Sequence, residues 1–120
     1  MAVDRDYVVR TVEAAMERCC TRGGSAQQVA DAVTVLTHCI QSVDGKTWGE
    51  ARGEALEVAS AEMFDQDVPQ SIDPEELERA ERTLWSQITG LVPDVEPTQG
   101  ELDRLHAVVG ALGEDLEVSP

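Results

Sequence analysis

Aromatic side chains are scarce in this sequence: Tyr7, Trp48, Phe64 and Trp85 are the only four among 120 residues. The hydrophobic content of 42% is nevertheless ordinary for a globular chain. The core therefore has to be assembled from Val, Leu, Ile, Met and Ala. No segment approaches the roughly 18 consecutive apolar residues of a membrane-spanning helix. The opening MAVDRDYVVR carries acidic residues where a secretion signal would need an apolar run. These absences lead to the expectation of a soluble, cytoplasmic protein with no membrane partner. Three cysteines cannot all pair internally, and without a signal segment they are expected to be reduced thiols. A length of 120 residues suits a single helical domain over 1–120, because two halves would each be too small to bury a good core.

Positive charge is the other shortage. Nine basic residues face 24 acidic ones, a formal net charge of −15. Residues 1–43 hold five acids and four bases, a net of −1, so the remaining −14 lies beyond Val43. Such a field repels phosphates and anionic membranes, which argues against direct nucleic-acid binding. It favours a basic protein, or the cationic groove of a nucleic-acid-binding protein, as partner. The same acidity would also serve solubility or a high-salt habitat. The excess of Arg over Lys is equally accounted for by genomic base composition.

What the sequence has in quantity is helix-start chemistry. Ser25 with Gln28, Thr47 with Glu50, Asp73 with Glu76 and Thr98 with Glu101 each place a capping oxygen three residues before a Glu or Gln. The third is strengthened by Pro74 at the first helical position and by Ile72, which can pack on Leu77 across the cap. Apolar spacing agrees with the caps. Val29, Val33, Leu36, Ile40 and Val43 advance by four, three, four and three; Leu77, Ala80, Leu84, Ile88 and Leu91 do likewise, as do Leu102, Leu105, Val109 and Leu112. A first helix carries Val8 or Val9, Val12, Met16 and Cys19 on one side. The expected helices cover about 4–20, 26–43, 48–64, 74–90 and 99–113. Gly23 in the short TRGGS joint is suited to end the first helix, and Gly90 marks the end of the fourth. No stretch shows sustained strand alternation. The fold class is all-α, a compact bundle of four or five helices opening with an antiparallel helical hairpin.

Cys19, Cys20, His38 and Cys39 resemble a four-ligand metal set only in composition. Neighbours on a helix project about 100° apart, so neither adjacent pair converges on one ion. In an antiparallel hairpin Cys20 falls near Gln27 or Gln28, whereas Cys39 lies about 17 Å further along at 1.5 Å per residue. The expectation is core packing for Cys19 and Cys39, with Cys20 the best placed to react, and neither a metal nor a cofactor is expected. Asp103 and His106 stand three apart, half of a di-iron carboxylate and histidine pattern, but Val35 occupies the acidic position that His38 would need. The sequence contains no P-loop, G-x-S-x-G, H-E-x-x-H or dinucleotide fingerprint. The chain is accordingly read as no enzyme, with a thiol- or metal-dependent enzyme as the remote alternative.

The candidate binding residues lie in the acidic part. Glu50, Glu54 and Glu57 occupy one helical face at i, i+4 and i+7, opposite Trp48, Ala55, Ala59 and Met63. The only basic residue on that helix, Arg52, points elsewhere on the wheel. Asp65 and Asp67 continue the charge into the following joint. On the next helix Glu75 with Arg79 and Glu78 with Arg82 form favourable i,i+4 pairs. Carboxylates one helical turn apart, about 5.4 Å, are spaced on the order of phosphates along a strand. The reading is a small acidic inhibitor, or a nucleic-acid mimic of the anti-defence or immunity type. The alternative is a helical adaptor that forms a homodimer through Val33, Leu36 and Ile40.

Overall fold

In a computed structural model of the chain the backbone is described for residues 5–22, 25–64 and 73–118, and the side chains for 5–18, 25–62 and 73–115. Five helices follow one another: α1 (Arg5–Arg22), α2 (Ala26–Asp44), α3 (Trp48–Phe64), α4 (Pro74–Leu91) and α5 (Gln99–Val118). No strand occurs among the described residues.

Each of the four expected caps holds an orphan N–H of a first helical turn. The Ser25 hydroxyl accepts from Gln27 N–H at 3.1 Å and the Asp73 carboxylate from Glu75 N–H at 3.1 Å. Thr47 and Thr98 accept from Glu50 and Glu101 N–H at 3.3 and 3.2 Å. At the other end of α2, Gly45 adopts the left-handed conformation (φ 64°, ψ 29°), and its N–H returns to the Gln41 carbonyl at 2.9 Å. The packing of Ile72 on Leu77 and the conformation of Gly23 fall outside the described residues.

The boundaries follow the sequence reading closely except at α5, which runs to Val118 instead of stopping near residue 113. Gly113 is not a helix end. It is buried against Tyr7, whose ring and hydroxyl occupy the space that any Cβ at 113 would need. The Tyr7 hydroxyl also donates to the Gly110 carbonyl at 3.1 Å. The glycine therefore lets an aromatic ring of α1 approach the α5 backbone.

α2 is the axis of the molecule, packing against α1, α3, α4 and α5. Its sequence explains this position, because the helix is apolar around most of its circumference. Val29, Ala30, Ala32, Val33, Val35, Leu36 and Ile40 are all completely buried. Thr34 and Thr37, buried with them, satisfy their hydroxyls on the Ala30 and Val33 carbonyls at 2.7 and 2.8 Å. Only three residues separate α1 from α2, so two such long neighbours can lie side by side only as an antiparallel hairpin. From α1 come Val8, Val12 and Met16; from α3, Ala51, Ala55 and Ala59; from α4, Ile88; and from α5, Val109. The small residues of α3 let that helix approach α2 closely. The radius of gyration is 14.2 Å, close to the value of about 13.6 Å expected for a compact chain of this length.

Three apolar positions depart from the expected stripes. Val43, in the last turn of α2 before its glycine cap, is 70% exposed, and Leu91, at the end of α4, is 43% exposed. Ala80 is exposed because α4 rests on the bundle mainly through Leu84, Trp85 and Ile88, in its C-terminal half. A continuous spacing thus overstates how much of a helix finds a neighbour.

Candidate functional site

The carboxylates of α3 divide into two kinds. Glu54, half-buried, is engaged by two bases of its own chain: Lys46 Nζ lies 2.6 Å from Oε2, and Arg5 Nη2 lies 3.5 Å from Oε1. The hydrogen bond from Lys46, with the charges of Lys46 and Arg5, holds the Glu54 carboxyl below its ordinary range against a smaller opposing effect of burial. The same hydrogen bond holds Lys46 above its usual value. The expectation that no base relieves this face is therefore corrected at Glu54. Its partners come from the joint before α3 and from α1, which the pattern of a single helix does not reveal.

Glu50 and Glu57 are exposed. Glu50 accepts a hydrogen bond from the Thr47 hydroxyl at 3.1 Å, within its own cap. Asp65 and Asp67 fall outside the described residues.

Arg52 points away from these carboxylates, as its position on the helix implied. Its Nη2 donates to the Thr89 carbonyl at 2.9 Å and the Val92 carbonyl at 3.2 Å, and lies 3.3 Å from Asp94 Oδ1. A cation at the carbonyl end of α4 complements the helix dipole there. Trp48 reinforces this junction: buried, it donates from Nε1 to the Pro93 carbonyl at 2.9 Å. Together Arg52 and Trp48 tie α3 to the end of α4 and fix the orientation of the outer face that carries Glu50 and Glu57.

On α4 the expected Glu78–Arg82 pair is formed at 2.6 Å, whereas Glu75 and Arg79 are both exposed. Glu75 and Glu76 lie in the first turn, where negative charge stabilises the helix N-terminus. Their presence is already explained without a partner.

A second constellation escaped the sequence reading. His38 of α2 and His106 of α5 meet with Nδ1 and Nε2 2.9 Å apart, their rings edge to face at 82°. Both are half-buried. Burial lowers the His106 pKa first, and the His38 charge lowers it further, with Asp103 pulling in the opposite direction. Asp103 itself accepts from the Gln99 side chain at 2.9 Å. Beyond its spacing from Asp103 on its own helix, His106 reaches across to another helix. The sequence held one clue, since His106 stands four residues after Leu102 and three before Val109, on the apolar stripe of α5. Nothing local says which helix that stripe meets.

Cys39 is buried in the core, and the side chains of Cys19 and Cys20 lie outside the described set. Among the described residues no three His, Cys, Asp or Glu side chains gather where they could hold a metal ion. Among the same residues no helix is long and apolar enough to cross a membrane. Comparison with protein-family models, with curated proteins and with solved structures finds no match for this chain.

Proposed function

We propose that this chain is an acidic binding protein without catalytic activity, which engages a basic protein through the outer face of α3. The observation that carries the reading is the disposition of bases around that face. Arg5 and Lys46 are engaged by Glu54, and Arg52 is turned to the end of α4. Glu50 and Glu57 are left as exposed carboxylates with these nearby cations committed elsewhere. Their charge is then available to a partner and attracts one over a distance set by ionic strength. Cationic grooves of nucleases and other nucleic-acid-binding proteins present the complementary field, so an inhibitor or mimic of the anti-defence or immunity type is the functional class proposed.

The alternative adaptor reading loses its stated interface. Val33, Leu36 and Ile40 are completely buried within the single chain, so they are not available to a second copy without unfolding the bundle.

The proposal is tested by immobilising the protein, capturing partners from the native host at low ionic strength, and eluting with salt. Retained proteins are expected to be basic and to elute as ionic strength rises. Recovery of neutral or acidic partners that resist salt would overturn it.

A further inference from the structure

The histidine pair joins the central helix to α5, and its geometry accepts only some protonation states. With both imidazoles neutral, one ring nitrogen donates and the other accepts across the 2.9 Å gap between His38 Nδ1 and His106 Nε2. One added proton leaves an imidazolium donating to a neutral acceptor, which preserves the bond. A second proton turns both facing nitrogens into donors and places two positive charges at hydrogen-bond distance. The contact then cannot persist.

We propose that His38 and His106 form a proton-operated latch, which holds α5 against α2 and releases it when both imidazoles are protonated. The inference is independent of the proposed partner, because it concerns an internal contact. Asp103, on α5, is the carboxylate that acts on His106, but it is exposed and already bonded to Gln99.

From α1, which packs on both helices, Tyr7 bonds to the Gly110 carbonyl and Arg18 lies 3.6 Å from Asp115, both on α5. Arg10 lies over the Tyr7 ring, 5.9 Å from its centroid. From α3, Arg52 is directed to the end of α4 and Glu54 to Lys46 and Arg5. From α4, the charged pair Glu78–Arg82 is exposed. None of these described groups supplies a second carboxylate to the pair. Release would uncover Leu102 and Val109, which α5 buries in the bundle, so acidification converts a closed surface into an apolar one.

The sign follows from linkage. A histidine whose folded pKa is depressed binds its proton more readily in the opened state. Its contribution to closure is complete above the ordinary imidazole value and is lost as pH falls through that value toward the depressed one.

The test is residue-resolved amide hydrogen exchange with imidazole NMR titration on the full chain, from about pH 7.5 to about pH 5. After correction for intrinsic exchange, α5 amides around His106 should lose about tenfold or more in protection, while the amides of α1 and α2 keep theirs. The His106 imidazole should take up its proton below the ordinary imidazole value, and the loss of α5 protection should follow that step. His106→Gln keeps a neutral hydrogen-bonding group and should abolish the pH-dependent loss. His38→Gln provides the same readout should the first variant fold poorly. Protection of α5 independent of pH, or an equal loss in the glutamine variants, would each overturn the latch.

Discussion

Glycine at 113 and glycine at 53 illustrate how one residue type serves opposite ends within helices. A Cβ at Gly113 would overlap the ring and hydroxyl of Tyr7, whereas a Cβ at Gly53 meets nothing within 4 Å. Gly113→Ala is therefore expected to destabilise the fold by about 1–3 kcal/mol through overpacking. Gly53→Ala is expected to stabilise it by about 1 kcal/mol through helix propensity. Urea denaturation of the two variants checks both signs. Glu54 supplies a third test at this scale. Because its folded pKa is depressed, chiefly by the Lys46 hydrogen bond, its contribution is present above the ordinary carboxylate range and is lost as pH falls through the depressed value. Glu54→Gln should show a shallower loss of stability than the parent on acidification through that range, as read by thermal melts in a pH series. Equal slopes would remove Glu54 from the structural role assigned to it.

At the scale of the element, legibility depends on whether the physics is local. The caps at Ser25, Thr47, Asp73 and Thr98 were readable because an oxygen and the N–H it accepts lie within three residues. The Glu78–Arg82 pair, four residues apart on one helix, is equally local. The end of α5 was placed too early because the apolar stripe stops at Leu112, while the helix continues through Gly113, where Tyr7 packs, to Val118. His38 and His106 are 68 residues apart, and Arg5 is remote from Glu54 in sequence, so no local pattern couples them. Apolar periodicity was right about direction and wrong about extent, as Val43 shows. The consequence is testable within α2: Leu36→Ala should cost about 2–5 kcal/mol, since that side chain is completely buried. Val43→Ala, in the same expected stripe, should change stability by no more than about 0.5 kcal/mol. Chemical denaturation of the pair measures the difference directly.

At the scale of the whole molecule, an apolar central helix and an acidic exterior are complementary parts of one design. α2 is so thoroughly covered that its stripe, Val43 in the last turn apart, has no surface left to offer, and the charge that remains outside is overwhelmingly negative. That exterior is where the account places binding, with Glu50 and Glu57 as its defined carboxylates. The most direct measurement is calorimetric titration of a captured basic partner, carried out at two ionic strengths against the parent chain and the Glu50→Lys/Glu57→Lys double variant. Glu54 is left intact so that its pairing with Lys46 and Arg5 survives. The account predicts that the parent weakens as salt is raised, and that the double variant, with an unchanged thermal melt, binds at least about tenfold more weakly at low salt. Equal affinity of the two proteins for the partner, with no dependence on salt, would contradict it.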